Sequence, residues 1–129
     1  MGEIRKFETG ATRDTDAGKL DFEGFESPIV EMRYAEYMHK HRQMPDGSLR
    51  ESDNWQKTYG EKHYDTFIKS LARHYVDLRL EHDGFQSREG VEAALCGIIF
   101  NAKSYLYKIL KDRGYMKKET TDNAKTETV

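Results

Sequence analysis

The chain has 129 residues, of which 36% are hydrophobic and 34% are charged. This length suits one ordinary domain and excludes two. The 21 basic and 23 acidic residues are interleaved and leave a net charge of −2, which argues against a nucleic-acid partner. The sequence contains no apolar run of membrane-spanning length and no apolar segment near its start. We therefore expect a cytoplasmic protein without a membrane partner (host cytoplasm, if the gene is phage-encoded).

Both ends of the chain lack helical periodicity. Residues 1–27 are rich in Gly, Asp, Thr and Glu and predict an irregular arm. We expect this arm to dock on the rest of the protein and not to be a disordered leader, because it carries four apolar side chains: Phe7, Leu20, Phe22 and Phe25. Residues 115–129 contain no core-forming pattern and predict a disordered tail. Residues 28–114 are left as the helical domain. The single cysteine, Cys96, lies in an apolar run and is expected to be a core residue in a reducing compartment.

The first helix is predicted over residues 28–42. Ser27 is a good N-cap, and Pro28 suits the first helical turn. Residues at helical spacing make one face, namely Val30, Tyr34, Tyr37 and His41. Pro45 and Gly47 then predict a turn that ends the helix.

The second helix is predicted over residues 61–82. It carries an apolar stripe at helical spacing, made of Tyr64, Phe67, Ile68, Leu71, Tyr75 and Leu78. His74, Asp77 and Glu81 follow the spacing i, i+3, i+7 and form a polar edge beside this stripe.

The third helix is predicted from the N-cap Ser87 to about Lys111, with Gly114 as its stop. Its first half is apolar on nearly all sides, which is typical of an interior helix. A stripe of small residues would allow close approach of another helix, and it consists of Gly90, Ala94, Gly97 and Ser104. The sequence predicts no strand, and the expected fold class is all-α.

The short loop at residues 83–87 predicts that the second and third helices are antiparallel neighbours. His74, Asp77 and Glu81 would then converge with Glu89 and Glu92. Carboxylates this close repel one another, and a hard cation such as Mg²⁺ or Mn²⁺ removes that repulsion. A solvated helix pair, in which Arg73 and Lys103 neutralise part of the acidic charge, is the alternative that the pattern leaves open.

The spacing of these acids resembles the metal-binding motif of the all-α nucleoside triphosphate pyrophosphohydrolases of the MazG-like superfamily. In that motif, Glu-x-x-Glu on one helix is followed by Glu-x-x-Asp on the next. This chain has His74-x-x-Asp77 and Glu89-x-x-Glu92, with 11 residues between Asp77 and Glu89. It has His in place of the first Glu of the pattern and Glu in place of the final Asp.

A closer resemblance covers about residues 7–110. The ordered segments FETGATRDTDAGKLDFEGFESP, RYAEYMHKHR, DGSLRESDNWQK, SLARHYVDLRLE and ALCGIIFNAKSYL are similar to the phage dATP/dGTP diphosphohydrolases. That family includes enzymes of phages whose DNA carries 2-aminoadenine. The resemblance implies a MazG-like antiparallel helix bundle that cleaves a purine deoxynucleoside triphosphate, dGTP or also dATP, to the monophosphate and pyrophosphate. The dGMP would supply 2-aminoadenine nucleotide synthesis.

The resemblance also implies roles for individual residues. Metal ligands for Mg²⁺ or Mn²⁺ would be Glu36, Asp77, Glu89 and Glu92, with His74 and Glu81 as supporting or base candidates. A structural role for His74 is equally compatible with the pattern. Substrate-binding residues would be Arg13, Lys19, Asn54, Trp55 and Lys57. For Trp55, stacking on a purine and packing at the start of the second helix are equal alternatives.

The resemblance further implies a homodimer or homotetramer. Two other functions stay open at this point. One is a house-cleaning nucleoside triphosphate pyrophosphatase, and the other is a nucleotide-binding helical protein without catalysis. His74 and Glu92 stand where the motif has Glu and Asp, and this difference is the reason to keep the second alternative.

Overall fold

A computed structural model of the chain describes residues 4–6, 8–15, 18–57 and 60–115. The described chain is mostly helical, with two short strands. It divides into two compact units, residues 1–33 and 34–129. Among the described residues, none of the helices combines the length and the apolar character that a bilayer crossing requires.

The first unit contains a small antiparallel hairpin. Strand β1 (Ile4–Lys6) pairs with strand β2 (Thr12–Asp14), with Ile4 opposite Asp14. This corrects the prediction of an irregular arm without strands, because three-residue strands are too short to give a periodic signal. Phe7 lies outside the described residues, and the other proposed anchors are exposed: Leu20, Phe22 and Phe25. Docking of this segment stays a prediction.

Helix α1 (Pro28–His41) begins where the sequence predicts. The Ser27 hydroxyl accepts a hydrogen bond from the Val30 amide at 3.3 Å, as expected of an N-cap. Tyr37 is buried, and its ring lies 4.1 Å from the His41 ring between centroids. The predicted turn follows, with Gly47 at a φ of 89°.

Helices α2 (His63–His82) and α3 (Val91–Asp112) are antiparallel neighbours, as the short loop between them predicts. Near the start of α2, the Tyr64 ring lies 4.8 Å from the ring of Tyr105. One turn later, the Phe67 ring lies 5.8 Å from the Phe100 ring. The second half of α2 therefore lies beside the first half of α3.

Helix α3 starts later than predicted, and Ser87 is not its N-cap. The Ser87 hydroxyl accepts a hydrogen bond from the Gly90 amide at 2.9 Å, and Gly90 itself precedes the helix with a φ of 88°. That left-handed conformation favours glycine and delays the helix until Val91. Glu89 consequently lies in the loop and not on the helix.

The inward face of α2 is more polar than the predicted apolar stripe. Ile68 and Tyr75 are 51% and 47% exposed, whereas the buried residues of α2 are His63, Phe67 and Asp77. Asp77, which the sequence predicted at a polar edge, therefore lies on the buried face itself.

Helix α3 is buried on one face only. The small-residue stripe makes this face, with Ala94, Gly97 and Ser104 buried together with Asn101. Val91, Leu95 and Leu106 are 43%, 43% and 54% exposed, so the prediction of an interior helix is wrong for the chain as described. The expectation that Cys96 is a core residue is confirmed by its burial.

A candidate metal centre between helices α2 and α3

Three chemically suitable side chains meet where α2, the following loop and α3 come together. One ligand atom from each of His74, Asp77 and Glu89 lies within 4.8 Å of the other two. His74 and Asp77 are one helical turn apart on the inward face of α2, and Glu89 comes from the loop before α3. Asp77 is only 2% exposed, and the other two are partly buried.

His74 is held between Glu89 and the backbone of α3. Its ring Nδ1 lies 2.6 Å from Oε2 of Glu89, a distance at which a protonated ring nitrogen donates to a carboxylate. Its ring also packs on Gly97, where a Cβ would come within 2.6 Å of three ring atoms. The small-residue stripe on α3 therefore makes room for this imidazole.

Asp77 is bound by Arg88, a residue that the sequence analysis did not single out. Arg88 Nη2 lies 2.6 Å from Oδ2 of Asp77, and Nε lies 3.0 and 3.1 Å from Oδ2 and Oδ1. These bonds are the main cause that holds the pKa of Asp77 below its usual value, with smaller effects from Glu89 and His74. The same pair raises the pKa of Arg88.

The neutralising cation is thus different from those expected. Arg73 is exposed, and Lys103 places its Nζ 5.0 Å from the centroid of the Tyr34 ring. The sequence signal for Arg88 is its position in a short loop directly before Glu89. A residue there can reach back to the helix that the loop has just left.

Glu81 anchors the loop that carries Arg88 and Glu89. Its Oε2 accepts hydrogen bonds from the Ser87 amide at 2.8 Å and from the Ser87 hydroxyl at 2.7 Å. These bonds lower the pKa of Glu81, and the bond from the Ser87 amide has the larger effect. The described geometry thus gives Glu81 a part in positioning the loop.

Helix α1 brings Tyr37 towards the same region. Burial raises the pKa of Tyr37 to about 12, and the charge of Glu89 is the next cause. The Tyr37 hydroxyl therefore stays protonated at neutral pH and is a neutral neighbour of the acidic group.

Glu36 and Glu92, the other two predicted ligands, are not brought into the three-residue group. Both are exposed. Successive residues of a helix are about 100° apart, so Glu36 lies on a different side of α1 from its buried neighbour Tyr37. Because α3 begins at Val91, Glu89 and Glu92 do not have the helical i, i+3 relation that the prediction assumed.

A second feature of this unit is a cavity of about 230 Å³ beside α3. Its lining comes from α1, α3 and the segment between α1 and α2, and consists of Tyr34, Met38, Ser52, Trp55, Phe100, Lys103 and Ser104. Trp55 belongs to a short 3₁₀ helix, Asn54–Gln56, and its ring meets the Tyr107 ring edge-on at 4.9 Å. Ser104 is 2% exposed, and its hydroxyl has no hydrogen-bond partner within the part of the chain that the structure describes.

A larger depression of about 430 Å³ lies at the end of α2. It is lined by α2 and its C-terminal cap alone, through Leu78, Arg79, His82 and Asp83. It includes none of the three residues of the candidate metal centre. Its charged lining residues form a surface ion pair, in which Arg79 and Asp83 are 3.7 Å apart.

The predicted phosphate-binding cations are dispersed. Lys57 lies 3.8 Å from Glu51 in an exposed ion pair. Arg13 lies on β2 and Lys19 in the following turn, and both are exposed in the first unit. Asn54 is partly buried at the start of the 3₁₀ helix that carries Trp55.

In comparisons with known proteins, no family model, no curated protein and no solved structure matches this chain. The family resemblance therefore rests on the sequence segments quoted above.

Proposed function

We propose that this protein is a metal-dependent nucleoside triphosphate pyrophosphohydrolase. Its substrate would be dGTP, or also dATP, and its products the monophosphate and pyrophosphate. The observation that carries the proposal is the convergence of His74 and Asp77, on α2, with Glu89, in the loop before α3, within 4.8 Å. The MazG-like helix bundle, the homo-oligomer and the supply of dGMP for 2-aminoadenine nucleotides belong to this proposal and rest on the resemblance.

The donor set fits Mg²⁺ or Mn²⁺. Mg²⁺ is commonly bound by one or two carboxylates together with phosphate oxygens of the substrate. Asp77 and Glu89 would hold it here, with His74 orienting Glu89 through the 2.6 Å contact, as supporting residues of metal sites do. When bound, such a cation neutralises charge between the phosphates and lowers the pKa of a water molecule.

The chain's own residues would then divide the remaining work. Because Nδ1 of His74 faces Glu89, its Nε2 is the ring atom suited to accept a proton from the attacking water. Glu81 holds the loop that positions Glu89. Glu36 and Glu92 stay proposed ligands that would have to move towards the group.

The cavity beside α3 is the proposed site for the base. Its volume of about 230 Å³ is below the roughly 300–1,000 Å³ of pockets for drug-sized ligands, so it suits one planar ring system. Trp55 and Phe100 offer aromatic faces, and stacking of one base on such a face contributes about 1–3 kcal/mol. The buried Ser104 hydroxyl, which lines this cavity, would hydrogen-bond a polar edge of that base.

The decisive experiment measures pyrophosphate release from each of the four dNTPs and the four NTPs, with Mg²⁺, with Mn²⁺ and with EDTA. Metal-dependent release confined to dGTP, or to dGTP and dATP, is the expected result. Release mainly from damaged or noncanonical nucleotides, added as a further panel, would favour the house-cleaning alternative.

One observation favours a second candidate, a nucleotide-binding protein without catalysis. Asp77 is already neutralised by Arg88, so the group does not require a cation for charge balance. In that case the folded protein would bind a nucleotide but release no pyrophosphate, and Asp77→Ala and Glu89→Ala would leave binding unchanged. Since the chain has a single tryptophan, quenching of Trp55 fluorescence measures nucleotide binding in either case.

A further inference from the structure

We infer that Arg88 is a phosphate-binding residue of the site and that it becomes available when Asp77 exchanges it for a divalent cation. This inference rests on the proposed function, since it assigns a role within the same site. It concerns the order of binding, with the cation first and the nucleotide phosphates second.

The exchange follows from the contacts of Asp77. Arg88 bonds to both carboxylate oxygens, at 2.6 and 3.0 Å to Oδ2 and at 3.1 Å to Oδ1. A guanidinium and a divalent cation would compete for the same lone pairs and would repel each other at that distance. Asp77 can therefore bind either Arg88 or the divalent cation, but not both at once.

Arg88 is the partner that can move. The Asp77 side chain is 3% exposed on the inward face of a long helix, whereas the Arg88 side chain is 61% exposed. The loop backbone on either side of Arg88 is held by Ser87, whose hydroxyl donates to Glu81 and accepts from the Gly90 amide. Release thus needs only rotation of the Arg88 side chain.

The released guanidinium has a suitable second partner. Its planar fork of donors matches phosphate oxygens in pairs, which is why arginine is used for phosphate recognition. Its Cα stays fixed next to Glu89, so the charge remains within one side-chain length of the proposed metal site. A triphosphate held there would restore the ion pair that Asp77 gives up.

The first test is a calorimetric titration of nucleotide-free protein with Mn²⁺. Arg88→Ala removes the competitor, so we expect it to bind Mn²⁺ about tenfold more tightly than the unmodified protein, the scale of a charge-assisted hydrogen-bonded pair. Arg79→Ala is the matched control, because it removes the same charge from α2 at an ion pair outside the group, and its Mn²⁺ affinity should stay within about twofold of the unmodified protein's. If Arg88→Ala does not fold by circular dichroism, Arg88→Gln replaces it, since it keeps most of the volume and removes the charge.

The second test measures binding of a non-hydrolysable dGTP analogue at saturating Mn²⁺. Arg88→Ala should weaken this binding about tenfold or more, and Arg88→Lys should lie between, because it keeps the charge without the fork. Unchanged or weaker Mn²⁺ affinity in folded Arg88→Ala would overturn the inference, as would unchanged analogue binding. If the unmodified protein hydrolyses dGTP and either result occurs, this inference fails alone; if it binds no Mn²⁺, the proposed function fails with it.

Discussion

Asp77 shows at the scale of one residue why the candidate site is unusual. A carboxylate that is 2% exposed stays ionised only if nearby groups compensate its charge. Here the compensation comes from Arg88, whose side chain is mostly in solvent. Because the arginine is exposed and the carboxylate is buried, the arginine can move while the carboxylate stays in place, as the proposed exchange requires.

Asp77→Asn should abolish the proposed function. An amide is a poor ligand for a hard divalent cation compared with a carboxylate, so we expect Mn²⁺ binding to be lost. Pyrophosphate release should then fall at least about 100-fold, since the metal supplies charge neutralisation in the transition state. The measurements are calorimetry with Mn²⁺ and the release assay.

Asp65→Asn is the control for this variant, because Asp65 is an exposed acid in the first turn of the same helix. It should keep both metal binding and activity. Full activity in a folded Asp77→Asn protein would contradict the assignment of Asp77 as a ligand.

At the scale of secondary-structure elements, the contact between α2 and α3 depends on Gly97. An alanine Cβ there would lie 2.6 Å from three atoms of the His74 ring, so either the ring or the helix must shift. We expect Gly97→Ala to lower the free energy of unfolding by about 1–3 kcal/mol, as overpacking of a core does. Urea denaturation followed by circular dichroism measures this change.

A double variant separates this clash from other effects of the substitution. Adding His74→Ala removes the ring that the new methyl group meets, so Gly97→Ala should then cost less than it does alone. Equal costs in both backgrounds would show that His74 does not pack on Gly97 as the structure describes.

The loop between α2 and α3 should carry a pH dependence that comes from Glu81. Hydrogen bonds from Ser87 lower the folded-state pKa of Glu81 below its unfolded value, so the stabilisation is complete well above the usual glutamate pKa of about 4.3. It is lost as the pH falls through the lowered folded pKa. Between pH 6 and pH 3, the unmodified protein should therefore lose more stability than Glu81→Gln, whose side chain does not titrate.

Urea denaturation at several pH values tests this difference, with Glu61→Gln as the control at an exposed position outside α2. Glu61→Gln should follow the unmodified protein. Parallel curves for the unmodified protein and Glu81→Gln would show that the Ser87 bonds do not stabilise the loop.

Much of the helical organisation could be predicted because its signals are local. Ser27 and Pro28 mark the start of α1, and the apolar spacing that ends near His82 marks the end of α2. The start of α3 was missed because Ser87 has the side chain of an N-cap, but the positive φ of Gly90 decides where the helix begins. Such a choice depends on the loop as a whole.

The candidate site was predicted in part. His74 and Asp77 were found through their helical spacing, and Glu89 through its place after the loop. Periodicity cannot separate a polar residue that points to solvent from one that is paired inside, so the burial of Asp77 and the exposure of Tyr75 were both missed. Arg88 was not predicted because an arginine in a short loop carries no periodic signal, and only the folded loop brings it to Asp77.

At the scale of the whole molecule, apolar side chains are left on the outer side of the α2–α3 pair. Ile68, Ala72, Val76 and Leu80 follow each other at i+4 spacing along α2, and all four are exposed. Residues at this spacing form a ridge that packs into the groove of another helix. Contiguous apolar patches of this kind on a helix surface mark interaction sites.

We propose a second copy of the chain as the partner of this ridge, as part of the proposed homo-oligomer. We expect Val76→Glu, near the middle of the ridge, to shift the protein from a dimer or tetramer to a monomer, because two carboxylates would be buried at a symmetric contact. Thr66→Glu adds the same charge at an exposed position of α2 outside the ridge and should leave the assembly intact. Sedimentation equilibrium over a range of protein concentrations measures the mass.

The stability of the unmodified protein should also rise with concentration, since association stabilises only the folded chain, and that rise should be absent in Val76→Glu. A monomeric mass for the unmodified protein at every concentration would show that the ridge does not join copies of this chain.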